Sequence, residues 1–308
     1  QELMHLGQDP RKIFDSFLAT GRTLTGTTGD GFYADIQTIS IGPDIILTCI
    51  QPPAGGNVYL VDTPRGCTMI DTGYGIYSRD IGLIIRNAVP GGKDAIRQIV
   101  VTHADADHCG AGGEFSVMAS MHPGTLDIIR AANRAYGSRS EASVLEGIYT
   151  TMINLFSQFN PPEKVSLFDS CTGETRAGFP ILSTIDIGGY SFEVLEGLGG
   201  HTHGQIYLFC KDLGVLFTAD TVINFGHLSK ERSEYNTLAV ILVTSVNVDS
   251  EVAKTERHNL IELARGTKGS YTGGRTRCLL CCGHGPVSVI EERELIPFGA
   301  VEHYVPCE

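Results

Sequence analysis

The chain has 308 residues, 42% hydrophobic and 19% charged, with a formal net charge of −12. That length can bury a sizeable core in one large domain or two small ones. The acidic balance disfavours a long nucleic acid or an anionic membrane surface as partner, because no broad basic field is available to hold phosphates.

In chain order, Pro10 to Thr20 predicts a short amphipathic helix with Ile13, Phe14, Phe17 and Leu18 on one face. Strands are expected at Ile36 to Ile41, Ile45 to Ile50, Asn57 to Val61 and Cys67 to Ile70, with turns at Gly55-Gly56 and Pro64-Arg65-Gly66. A helix at Ile81 to Ala88, a strand at Gln98 to Val101 and a short element at Glu114 to Ala119 follow. Pro123 to Phe159 carries two helical patterns broken near Gly137-Ser138, a helical insert over about 123–160. Strands resume at Ile181 to Ile187, Ser191 to Leu195, Gln205 to Cys210 and Val215 to Thr218. A helix from Ser250 to Arg265 has Asp249 or Ser250 as N-cap. Cys278 to Cys282 is the last strand, and Val287 to Leu295 is expected to be a terminal helix. A β-rich half with some helix, repeated once, implies two packed sheets with helices outside. This is the α/β class, a four-layer α/β/β/α sandwich, in a single domain over 1–308 with an N-terminal extension of 1–34.

The nine cysteines, an odd number, cannot all pair within one chain, and they read as reduced, mostly buried thiols of a cytoplasmic protein. No apolar run reaches the ~18–20 residues that span a bilayer. No signal peptide is visible, although the start at Gln1 leaves room for a removed N-terminal piece.

The chemistry concentrates at His103-Ala-Asp105-Ala-Asp107-His108, two imidazoles and two carboxylates within six residues, directly after the apolar run Ile99-Val100-Val101. Such side chains are costly to hold together unless a cation neutralises them, so the stretch reads as the core of a metal site with room for two ions. Three later segments also place a ligand-capable group at a strand end, where binding residues gather on a rigid scaffold. They are Gly200-His201-Thr202-His203-Gly204, Phe217-Thr218-Ala219-Asp220, and Gly283-His284-Gly285.

Together these motifs resemble the metallo-β-lactamase-fold superfamily, whose usual run is T-H-x-H-x-D-H-x-G. There it is followed by a G-H-T-x-G histidine, an aspartate after an apolar strand and a late G-H-G-type histidine. Here 93 residues separate His108 from His201, 19 separate His201 from Asp220 and 64 separate Asp220 from His284. The insert lengthens the first step. Ile70-Asp71-Thr72-Gly73 resembles the family's early D-T-G turn. The resemblance covers about residues 35 to 300 and is specific for fold, weakly so for substrate. It implies a first site held by His103, Asp105 and His201, a second held by Asp107, His108 and His284, and Asp220 bridging both. The implied cofactors are two divalent ions, Zn, Fe or Mn. His203 is a substitute for His201 that the motif register disfavours.

One position departs from the family: Asp105 stands where histidine is usual. A third carboxylate leaves two divalent ions with a net +1 instead of +2 and favours Fe or Mn relative to Zn. Carboxylates occur here in di-iron flavoproteins that reduce oxygen or nitric oxide, and in the lactamase-like domain of DNA-uptake competence proteins.

The resemblance implies a dinuclear hydrolase acting through a metal-bound hydroxide on a small ester, lactone, thioester or sulfate ester. Asp107 would also orient or deprotonate the nucleophile. His227, seven residues past Asp220, is a candidate proton donor or else a surface histidine. The second reading is a di-iron oxidoreductase fed by an external electron donor. A nuclease is third, disfavoured by the charge. The expected partner is a small molecule, with no nucleic acid and no membrane, and a homodimer is allowed. Arg265, Lys268, Arg275 and Arg277 either grip an anionic group or form a solvated loop. The insert is expected to cover the pocket with Ile128, Ile129, Val144, Leu145, Ile148 and Met152.

Overall fold

The computed structural model describes residues 2–5, 7–241 and 246–306. Eight helices lie at Glu2–His5 (α1), Pro10–Gly26 (α2), Ser78–Ala88 (α3), Ala106–Cys109 (α4), Pro123–Ala131 (α5), Val144–Phe156 (α6), Lys230–Thr237 (α7) and Ser250–Gly266 (α8). The first sheet is built from Ala34–Gly42 (β1), Ile45–Gln51 (β2), Val58–Thr63 (β3), Gly66–Ile70 (β4), Ile96–Val100 (β5), Ala119–Met121 (β6) and Val165–Leu167 (β7). The second takes Thr175–Arg176 (β8), Phe179–Ile187 (β9), Tyr190–Glu196 (β10), Ile206–Cys210 (β11), Val215–Ala219 (β12), Leu279–Cys282 (β13), Ser288–Glu291 (β14) and Glu294–Pro297 (β15). Glu302–Tyr304 (β16) returns to the first sheet, beside β1.

Each sheet is mixed. β1 to β4 form an antiparallel meander, and β5, β6 and β7 add in parallel to β4. In the second sheet β13 crosses back to lie parallel to β12, which places the ends of these two strands side by side.

Strand side chains alternate between faces, and here both faces are apolar. Along β3, Val58 and Leu60 face one core and Tyr59 and Val61 the other. Along β11, Ile206 and Leu208 pack between the sheets, while Tyr207 and Phe209 pack under α8 with Leu260 and Ala264. α3 covers the outer face of the first sheet through Ile81, Ile84 and Ile85. The result is helices, sheet, sheet, helix, the α/β/β/α sandwich of the metallo-β-lactamase fold. The eight described cysteines are free, all buried except Cys171. No described helix is long and apolar enough to cross a membrane.

Several local expectations change. The expected terminal helix at 287–295 is the hairpin β14–β15, paired to the sheet through Leu280 and Ser288. The helix-favouring Glu291-Glu292-Arg293-Glu294 run makes its turn, with Glu292 at φ 50°, because sheet pairing overrides local propensity. α2 continues past Thr20 to Gly26. Its Gly21 lets α2 lie against α6, since a side-chain carbon there would press into the Phe156 ring. Glu114 lies in a short turn before β6, and the break between the insert helices spans 132–143.

The apolar face of the insert also has a different role from the one expected. Leu145 joins Ile13 and Phe17 of α2 in a small core, with Ile148 and Met152 packed against it, Ile129 packs against the core over the first sheet, and Ile128 is buried. Toward the metal loop the insert turns Arg134 and Tyr149, with Thr150, Ile153 and Asn154 lining a smaller cavity beside them.

Candidate metal centre

The ligand-capable side chains all leave from strand ends along one edge of the sandwich. β5 runs into the loop of His103 and Asp105 and then α4, which carries Asp107 and His108. The turn between β10 and β11 carries His201, Asp220 follows β12, and His284 follows β13.

Two sets converge. His103, Asp105, His201 and Asp220 form one, and Asp107, His108 and His284 the other, with donor atoms in each set within 4.8 Å of one another. In the first, His201 Nε2 lies 3.1 Å from Asp105 Oδ2 and His103 Nε2 lies 3.7 Å from the same atom. In the second, Asp107 Oδ2 lies 3.5 Å from His284 Nε2 and 3.8 Å from His108 Nε2. Asp220 stands between them: Oδ1 is 3.0 Å from His108 Nε2, and Oδ2 is 3.2 Å from His284 Nε2 and 3.6 Å from His201 Nε2.

Several observations show that the donor set suits cations. His103 Nε2, His108 Nε2 and Asp220 Oδ1 are buried without a hydrogen-bond partner, although the last two lie close together. Buried polar atoms are rarely left so, and all three point into the clusters. Two glycines keep the space open. A side chain at Gly56 would collide with His108 Nε2, and one at Gly283 with Asp220 Oδ1. Imidazole nitrogens and carboxylates are the donors that Zn, Fe and Mn take.

The electrostatics follow from packing acids and bases together. Burial opposes charge on His108, but Asp220, Asp107 and Asp71 raise its pKa well above the ordinary value, and Asp220 and Asp107 raise that of His284. Burial likewise opposes charge on Asp220, yet His284 and His108 hold its carboxyl well below the usual range. Burial and the neighbouring His108 lower His103. The buried carboxylates therefore favour positive charge at His108 and His284.

Asp71 orients two of the rings. Its Oδ1 accepts from the Thr102 amide at 2.7 Å, and its Oδ2 accepts from the Thr102 hydroxyl at 2.7 Å and from His108 Nδ1 at 2.8 Å. With its proton given to Asp71, the Thr102 hydroxyl accepts from His103 Nδ1 at 3.0 Å. The network puts the ring protons on Nδ1 and leaves both Nε2 atoms as lone-pair donors. The sequence places Asp71 beside the metal loop through its D-T-G turn; this pairing is visible only in three dimensions.

Arg134 carries no sequence signal at all. Its guanidinium is buried, with Nε 3.3 Å from Asp105 Oδ1 and Nη2 3.1 Å from Asp105 Oδ2. Burial would raise the Asp105 carboxyl, but Arg134, His103 and His201 hold it well below the usual range.

A cleft opens over the clusters. Asp105, Asp107, His201, Asp220 and His284 form its floor. Tyr74, Tyr149 and Tyr235 form one wall, and Ile223, Phe225 and Leu238 contribute apolar surface. The Tyr74 and Tyr235 hydroxyls lie 2.7 Å apart. α7 brings Tyr235 there because Arg232 ties that helix to the first sheet through the Gln51 and Pro52 carbonyls and Asp35. Thr20 of α2 also reaches the cleft.

Other candidates lie elsewhere. His227 is exposed on a turn, with Nδ1 3.1 Å from Asn224 Oδ1 and outside the cleft lining. His203 is exposed and packs against His122, away from the clusters. Arg275 is buried on the Leu213, Gly214 and Arg277 carbonyls, Arg265 pairs with Glu262, and Arg277 pairs with Glu291. These cations and Lys268 do not line the cleft.

Comparison with known proteins agrees with this geometry. The family model described as metallo-beta-lactamase superfamily matches residues 52–122, which include the Asp71 turn and the metal loop. Among solved structures, AidC, described as a dizinc quorum-quenching lactonase in complex with a product, is 14% identical with a TM-score of 0.52, covering 87% of this chain and 98% of that one. A metallo-beta-lactamase from Pontibacter korlensis is 17% identical with a TM-score of 0.47, covering 82% of this chain and 93% of that one. No curated protein matches by sequence. Residues 52–122 thus match the metallo-beta-lactamase superfamily model, and the chain as a whole has the metallo-β-lactamase fold.

Proposed function

We propose that the protein is a dinuclear metal-dependent hydrolase of a small, uncharged ester, lactone or thioester. The observation that carries this reading is the convergence of seven ligand-capable side chains in two adjoining sets, with Asp220 of the first set within reach of the second, five of them on the floor of one cleft. Two divalent ions held there would polarise the scissile carbonyl and activate water. His103, Asp105 and His201 would hold one ion, Asp107, His108 and His284 the other, and Asp220 both.

The chain's own groups define the rest. Asp107 faces the cleft, where it can accept a proton from the attacking water as well as bind an ion. In the Tyr74–Tyr235 pair one hydroxyl donates to the other, which leaves one phenolic hydrogen to donate to a substrate oxygen. The apolar wall excludes water and suits a short acyl group.

Among the described residues that line the cleft no cationic side chain is left unpaired, which argues for a neutral substrate. Among the described lining residues Arg134 is the one guanidinium, and Asp105, Glu146 and the Val246 carbonyl take up its donors. A sulfate ester would therefore find no cationic side chain in the cleft. The fold shared with AidC, a lactonase, supports testing lactones first.

The test is metal analysis of protein purified without added metal, followed by hydrolysis assays on uncharged esters, lactones and thioesters beside sulfate esters and phosphodiesters. Two bound ions with turnover of a neutral substrate is the expected result. A two-ion protein that hydrolyses none of the neutral substrates would overturn the proposal. The carboxylate at Asp105 favours one competing reading, a di-iron oxidoreductase. Iron in the untreated protein, with a visible absorption band that bleaches on reduction, would establish it instead.

A further inference from the structure

We infer that Arg134 is a positioning residue for the first metal cluster alone, clamping Asp105 directly and bracing His201 through the Val246–Asn247 segment. The inference rests on the reading that these clusters hold two ions.

Arg134 stands in the loop after α5, in the insert, 29 residues from Asp105 in sequence. Its side chain is 4% exposed. The Nε and Nη2 groups fork onto the two Asp105 oxygens, a geometry that fixes the plane of the carboxylate as well as its place. In that plane Oδ2 faces His201 Nε2 and His103 Nε2. Nη1 lies 3.5 Å from Glu146 of α6, and Nη2 also donates to the Val246 carbonyl at 2.7 Å.

The Val246 contact extends the effect. The next residue, Asn247, places Oδ1 3.2 Å from His201 Nδ1. Val248 N donates to the His201 carbonyl at 3.0 Å, and Asp249 N to the Gly200 carbonyl at 2.9 Å. One guanidinium thus joins the metal loop, the insert and the segment that seats His201. Among the described residues no hydrogen bond links Arg134 to Asp107, His108 or His284.

Charge explains why a cation belongs at this point. Asp105 puts an anion where the superfamily usually has a neutral imidazole, and Arg134 brings one positive charge back beside it. The guanidinium lies against both Asp105 and the buried Glu146, so it offsets the added carboxylate where it faces the cluster.

The test measures metal binding and does not depend on activity. Arg134→Met alone would leave the Glu146 charge buried without this partner, which is strongly destabilising. The informative variant is therefore Arg134→Met with Glu146→Met, compared with Glu146→Met alone and with Arg134→Lys, which keeps the charge and loses the fork. Zinc stoichiometry is read by mass spectrometry after dialysis, the two zinc affinities by chelator competition, and folding by circular dichroism. One of the two ions should bind 10–100-fold more weakly in the double variant and in Arg134→Lys, the usual cost of losing a group that orients a ligand. The other ion should be unchanged, and Glu146→Met should keep both. Two ions at wild-type affinity in a folded variant, or equal weakening of both, would overturn the inference. If the double variant does not fold, Arg134→Lys decides. A wild-type protein that takes up fewer than two ions overturns the dinuclear reading and this inference with it. Failure of this inference alone shows as two wild-type ions that both survive in the variants.

Discussion

Replacing Asp71 with Asn should weaken both ions at once, because one carboxylate sets the tautomer of a ligand in each cluster. Asp71 has φ 58°, a left-handed conformation that Asn also tolerates, so the substitution acts through hydrogen bonding and not through the backbone. The carboxylate receives three donors at 2.7–2.8 Å: the Thr102 amide, the Thr102 hydroxyl and His108 Nδ1. An amide keeps one acceptor oxygen. Turned to serve the Thr102 amide, it directs its NH2 at the other two donors. The conflict is relieved only if the Thr102 hydroxyl turns to donate to His103 Nδ1 and His108 accepts at Nδ1. Both changes move a ring proton onto Nε2, the atom that must offer its lone pair to an ion. Loss of such an orienting partner costs about 10–100-fold in metal affinity, or about 1.4–2.8 kcal/mol for each ion. Chelator competition on the folded variant should show both zinc affinities reduced within that range. Affinities that both stay within about threefold of wild type would refute the tautomer argument.

Asp220→Asn should lower metal content more than Asp105→Asn, because Asp220 lies within reach of His108, His201 and His284, imidazoles of both clusters; equal metal content in the two variants would contradict a bridging role. Leu145→Ala should cost about 2–5 kcal/mol of stability, since Leu145 is fully buried against Ile13 and Phe17. Ile148→Ala with Met152→Ala should lower the melting temperature and leave KM and metal content unchanged; a raised KM at constant melting temperature would mean that this face touches substrate after all. In chelated protein the elevated pKa values of His108 and His284 contribute stability that is complete below about pH 6.5, the unfolded value, and is lost as pH rises through the higher folded values. The melting temperature of metal-free protein should therefore fall on going from neutral to alkaline pH more steeply than that of metal-loaded protein, in which ions replace those protons. Parallel pH profiles would argue that the ions do not bind at these rings.

The seven ligand-capable residues were legible in the sequence for a physical reason. Each follows an apolar strand, so local order alone places His103, Asp105, Asp107, His108, His201, Asp220 and His284 at the rim of a sandwich whose strands are apolar on both faces. The paired sheets were legible on the same grounds, because β3 and β11 carry apolar residues at successive positions and must be covered twice. What the chain does not encode locally was decided by packing. The Glu-rich run at 291–294 is helix-favouring in isolation and became a turn because Ser288 pairs with Leu280. The apolar stripe of α6 predicts a buried face without saying which neighbour buries it, and α2 took it instead of the cleft. His227 is close to Asp220 in sequence, but its turn leaves it exposed. Arg134, Asn247 and Tyr235 had no periodicity or motif to announce them. Their roles depend on distances across the fold, and a buried cation reveals its partner only when tertiary structure brings the two together.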